Sequence, residues 1–256
     1  MTKRGKDFFR LETSHTEQIR YLHVLGTNLW SAGDYTLNCY ASVNNKIADK
    51  YFYVSDDKIN AMLVHHGDLS QMGGTDPYVI LACNDSTLRV IAGNGRLFYQ
   101  SNLDAAPTCM TMLNVSSGTD TNADGESNAP TVVLFGLQNG NIGAVELQRD
   151  EGVFLWEVDC SQEETKAPVS HIAVAQLKAN SAESCIIVRE DSSIEIYKFP
   201  SRPGHPAGLS EPTLVFEVRE QETITGVTVG HITSAARKEI LFSCYSGAIK
   251  SLVDRK

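Results

Sequence analysis

Three observations predict an all-β chain of repeated four-stranded units, a β-propeller. One hairpin pattern recurs five times, its anchor residues fall at a near-constant spacing, and no stretch carries a convincing helical period. The hairpins are "LWSAGDYTLNCY", "VILACNDSTLRVI", "VLFGLQNGNIGAVEL", "CIIVREDSSIEIYKF" and "ILFSCYSGAIKSLV". Each joins an apolar run, through turn residues drawn from Gly, Asn, Asp and Ser, to a strand opened by Leu37, Leu88, Ile142, Ile194 or Ile249. These anchors stand 51, 54, 52 and 55 residues apart, a period that suits one β-unit of about four strands.

The first half of each hairpin ("VVLF", "CIIV", "EILF") is continuously apolar, as a strand covered on both faces must be. The second half alternates, as in Leu88-Arg89-Val90 and Ile194-Glu195-Ile196, which predicts a half-exposed strand. Between hairpins, "GVFLWEVD" then "VSHIAVAQL", and "TLVFEVRE" then "TITGVTVGHI", supply the two further strands of each unit. Radial blades cover one another's apolar faces, whereas a β-sandwich needs no such self-similarity. At the ends, "MTKRGKDFFRLETS" reads as the outer strands of a blade whose inner strands lie upstream. "EILFSCYSGAIKSLVDRK" reads as an inner hairpin whose outer strands lie downstream. Residues 1–256 are thus expected to form a single partial propeller domain of about five blades. Two long segments, 114–130 and the four-proline 200–212, are expected to be loops, the second joining two strands of one blade.

Composition narrows the function classes. The net charge is −9, and the only basic cluster is Lys3, Arg4 and Lys6, too few charges to hold a phosphate backbone. No apolar run follows those residues, and "TVVLFGL" is far too short to span a bilayer. A soluble intracellular chain is expected, with neither a nucleic-acid partner nor a transmembrane segment. Cys39, Cys83, Cys109, Cys160, Cys185 and Cys244 lie far apart without metal-ligand spacing and read as reduced thiols packed as small hydrophobes. The sequons at Asn84 and Asn114 would matter only in a secreted chain.

Catalytic patterns are absent: there is no nucleophile elbow, phosphate-cradling loop or metalloprotease motif, so no enzyme activity is expected. The pairs Asp56-Asp57 and Glu163-Glu164 sit in hydrophilic turns. His65 and His66 are adjacent and would point to opposite faces of a strand; His171 and His231 fall near corresponding places in successive repeats and read as structural. Trp30 and Trp156 lie within strand patterns, as core residues do. One candidate metal site remains, "TDTNADGESN". Asp120, Asn122, Asp124, Glu126 and Asn128 offer oxygens at alternating positions around Gly125, as a calcium loop does. Thr131 stands where an EF-hand needs its closing glutamate, and no helical pattern flanks the loop, which excludes an EF-hand. The placement between strands resembles the calcium loops of FG-GAP propellers, but the other repeats lack the oxygen ladder. Calcium binding is therefore not expected, and no other cofactor is implied.

The elements "TKRGK", "ET..TE.I" and "S.DKIN", continued through "ILACNDSTLRVI", "VLFGLQNG", "WEVD", "EDSSIEIYKF" and "SCYSGAIKSL", resemble the propeller of the Bardet-Biedl syndrome 7 family of BBSome subunits. The resemblance covers essentially the whole chain. It implies an amino-terminal seven-bladed propeller with degenerate FG-GAP-like repeats, of which about two blades precede "TKRGK". It also implies a coiled coil, an appendage-like domain and a helical end beyond the propeller. The function it implies is a non-catalytic scaffold of a coat complex that moves membrane proteins to and from cilia and serves cilium assembly. Other BBSome subunits, in particular the sister propeller and coiled-coil subunit 2, are the implied partners, with membrane-protein cargo bound indirectly. The implied locations are cytoplasm, cilium, basal body and, peripherally, the ciliary membrane. Two rival readings are an extracellular calcium-binding FG-GAP-type adhesion propeller, supported by the acidic loop and the sequons, and a propeller enzyme such as a glycosidase, which would need paired carboxylates at its channel.

Overall fold

The computed structural model describes residues 13, 15–43, 46–65, 77–114, 130–148, 151–159, 166–177, 183–200, 210–233 and 238–253. Among them there are nineteen strands and no helix, hence none long and apolar enough to cross a membrane.

The strands form five antiparallel meanders. Sheet 1 is β1 (Tyr21–Leu25), β2 (Asn28–Ala32), β3 (Thr36–Val43) and β4 (Lys46–Val54). Sheet 2 is β5 (Ile59–His65), β6 (Tyr78–Cys83), β7 (Thr87–Ile91) and β8 (Leu97–Asn102). Sheet 3 is β9 (Pro107–Asn114), β10 (Thr131–Leu137), β11 (Ile142–Leu147) and β12 (Gly152–Val158). Sheet 4 is β13 (Val169–Ala175), β14 (Ser184–Arg189), β15 (Ser193–Lys198) and β16 (Thr213–Arg219). Sheet 5 has three described strands, β17 (Ile224–Gly230), β18 (Glu239–Cys244) and β19 (Ile249–Leu252). Each sequence hairpin is the second and third strand of one sheet, and the proline-rich segment joins β15 to β16 as expected.

Successive sheets stack face to face through four apolar clusters. Trp30, Leu37 and Cys39 meet Ile59, Val79 and Leu81; Ile80, Leu88 and Val90 meet Val133, Phe135 and Leu137. Leu134, Ile142 and Trp156 meet Cys185, Ile187 and Tyr197; Ile186, Val188 and Ile194 meet Ile224, Ile240 and Phe242. Each such side chain, fully buried, contributes about 1.5–3 kcal/mol. That is why the second strands read as unbroken apolar runs. The first strands β1, β5, β9, β13 and β17 neighbour one another in chain order, as the inner strands of blades do.

The third strands of sheets 2 to 4 differ from expectation, while β19 alternates as expected. β7 is buried throughout and β15 nearly so, and the charges that suggested exposure are inside: Arg89 is 3% and Glu195 1% exposed. Alternation there records buried, ion-paired charge, and exposure falls instead on the fourth strands, most clearly β16.

Two bulges recur. In the inner strands of sheets 2 to 5 the register skips Asn60, Thr108, Ser170 and Thr225, all polar. A bulge frees a carbonyl of the neighbouring strand. The skipped hydroxyls recover it, Thr108 donating to Gly136 O at 3.0 Å, Ser170 to Val188 O at 3.1 Å and Thr225 to Ser243 O at 3.3 Å. The same positions lace each sheet to the next. Tyr21 donates to Asn60 O, Asn60 Nδ2 to Pro107 O at 3.1 Å and Thr108 to Val169 O, while His171 bonds the Thr225 backbone. In the fourth strands the skipped residues are Lys50, Phe98, Leu155 and Val215, each followed by an aromatic side chain, Tyr51, Tyr99, Trp156 or Phe216.

Candidate interaction face

A meander places the turn between second and third strands at the same end as the crossover into the next sheet. Backbone bonds confirm it: Asn84 N–H donates to Lys58 O, Gln138 to Ala106 O, Glu190 to Pro168 O and Tyr245 to Thr223 O. The turns share one chemistry. The side chain of Asp85 accepts from the Thr87 hydroxyl, Asp191 from Ser193 and Asn139 from the Asn141 N–H, and the next residue adopts a left-handed conformation: Ser86 (φ 63), Gly140 (φ 90), Ser192 (φ 70) and Gly247 (φ 86).

Charge is buried just beneath these turns. Arg189 grips Glu195 with two bonds of 2.9 Å, and its remaining nitrogen donates to Gly140 O of sheet 3 at 2.6 Å and to Ala167 O at 3.0 Å. Lys166 and Tyr197 also bond the Glu195 carboxylate, at 2.6 Å and 2.9 Å. Burial pushes that carboxyl group up, but the hydrogen bonds and charges of Arg189 and Lys166 outweigh it and hold its pKa below the ordinary carboxylate value. In sheet 2 Arg89, at the position of Glu195, donates to Ser55 at 2.6 Å and pairs with Asp85. Sheet 1 uses a histidine and a carboxylate instead: His15 bridges Thr36 and Ser31 at 2.7 Å each, and Glu17 accepts from the backbone of Tyr35 and Thr36. The Ser31 hydroxyl belongs to a residue only 1% exposed, so this His–Ser contact is a clasp and not an accessible nucleophile.

The surface above is acidic. Asp56, Asp85, Asp104, Asp159 and Glu190 are exposed along it. Glu157, bonded to Asn141 at 2.7 Å, has its pKa raised by burial and by the nearby charges of Asp104 and Asp159. A broad end of turns standing on interlocked charges is suited to protein contact.

The sequence-predicted candidates fall elsewhere. Asp120, Asn122, Asp124, Glu126 and Asn128 lie outside the described residues, in the segment between β9 and β10. His66, Cys160, Glu163 and Glu164 are also outside them. Trp30 and Trp156 are core, 1% and 7% exposed. Five cysteines are free thiols, with burial raising Cys109 to about 12 and Cys185 further. His65 meets Tyr78 edge to face, with ring centroids 5.4 Å apart. His171 and His231 do not correspond: His171 is third in β13, and His231 follows the end of β17. Sequence reading missed Arg89, Arg189 and Glu195 as the groups organising this end. The available signal was a charge inside an otherwise apolar hairpin.

Sheets that meander, stack through shared cores and present their first strands to one another define a β-propeller. Solved propellers have the same fold. One is the crystal structure of BBS1N in complex with ARL6DN, soaked with mercury (TM-score 0.56, 9% identity, covering 88% of this chain and 59% of that one). Another is Saccharomyces cerevisiae Sqt1 (TM-score 0.67, 14% identity, 95% of this chain and 61% of that one). The BBS7 beta-propeller family matches residues 1–254, and the chain belongs to that family. BBSome complex member BBS7 of Mus musculus is 26% identical over 251 residues, and bbs-7 of Caenorhabditis elegans 26% identical over 253. Each match covers 98% of this chain but only 31% and 32% of the relative, so the chain spans about a third of their length.

Proposed function

We propose that this chain is a non-catalytic interaction module of a BBSome-type coat, a single partial propeller domain that serves traffic of membrane proteins to and from the cilium and cilium assembly. The observation that carries the reading is family membership over residues 1–254. The end face supports it: the buried charges Arg89, Arg189 and Glu195 are taken up by Ser55, by one another and by the Gly140 carbonyl, which leaves them to structure. Its partners are other BBSome subunits, including the sister subunit 2, and its places of action are cytoplasm, cilium, basal body and ciliary membrane. Affinity purification of the tagged chain from ciliated cells, followed by mass spectrometry, tests this. BBSome subunits are the expected partners, and recovery of secretory or matrix proteins alone overturns the reading.

The loop at Asp120 is proposed not to hold calcium at micromolar levels, because Asn122 and Asn128 contribute amides and no carboxylate closes the loop. Calorimetry on the purified chain decides it; micromolar binding abolished by Asp124→Ala would overturn this reading.

A further inference from the structure

We draw no further inference here: the strongest candidate, the carboxylate cluster of Asp104, Glu157 and Asp159 on the end face where sheets 2 and 3 meet, is an acidic cluster to which no second feature among the described residues assigns a ligand.

Discussion

The boundary between sheets 3 and 4 and the boundary between sheets 4 and 5 are built from the same repeat and both enclose an apolar cluster, yet only the first is covered out to its fourth strand. Trp156 is 7% exposed because its ring reaches Phe199 of the next sheet, with centroids 6.2 Å apart. Its equivalent Phe216 is 41% exposed. Arg189 and Glu195 are each 1% exposed as side chains, whereas Lys250, at the position of Glu195 in sheet 5, pairs with Glu220 at 2.8 Å while 37% exposed. The same residue position carries different weight according to how far it is buried.

Breaking the ion pair should separate the boundaries most. Arg189→Met leaves a buried carboxylate with reduced compensation and is expected to cost about 3 kcal/mol or more in chemical denaturation. Lys250→Met, at a solvent-screened pair, is expected to leave the midpoint unchanged. Equal effects would show that sheet 5 is as well covered as sheet 4.

Removing the aromatic rings comes next. Trp156→Ala should cost about 3 kcal/mol through lost burial and a residual cavity, and Phe216→Ala about 1 kcal/mol.

A smaller contrast lies in the turns. A Cβ on Gly140 would stand 2.7 Å from the Lys166 carbonyl oxygen at a φ of +90°, whereas Gly247, at +86°, has nothing within 4 Å. Gly140→Ala should therefore cost about 2 kcal/mol, and Gly247→Ala about 1 kcal/mol from backbone conformation alone. Thermal unfolding of the two variants gives the comparison.

The smallest expected effect is a pH dependence at the 4/5 boundary. Burial lowers the pKa of His171 below its ordinary 6.5, against a hydrogen bond to the Thr225 backbone that raises it. The unfolded chain then binds the proton more readily, so the stability contributed by neutral His171 is complete above 6.5 and is lost as pH falls from there through the folded-state value. His171→Gln should flatten that slope in denaturation curves between pH 7 and 5. An unaltered slope would assign it to other groups.

The repeat and its period were legible because alternation and turn chemistry act over a few residues. "NDS", "QNG" and "EDS" announce turns wherever they stand, and "VVLF" can hardly lie anywhere but between two covering faces. The order of strands within a sheet follows from short connections. Tertiary structure alone decided the fate of the charges. Leu88-Arg89-Val90 and Ile194-Glu195-Ile196 have the period of a half-exposed strand, and only the partners that folding gathers, Ser55 and Asp85 for Arg89 or Lys166 and Arg189 for Glu195, offset the cost of burial. The same holds for the polar residues skipped in the inner strands, whose role depends on which carbonyl the bulge frees. Local sequence determined which residues form strands and turns; contacts between blades determined which polar groups lie inside, because desolvation is offset only by a partner that folding brings close.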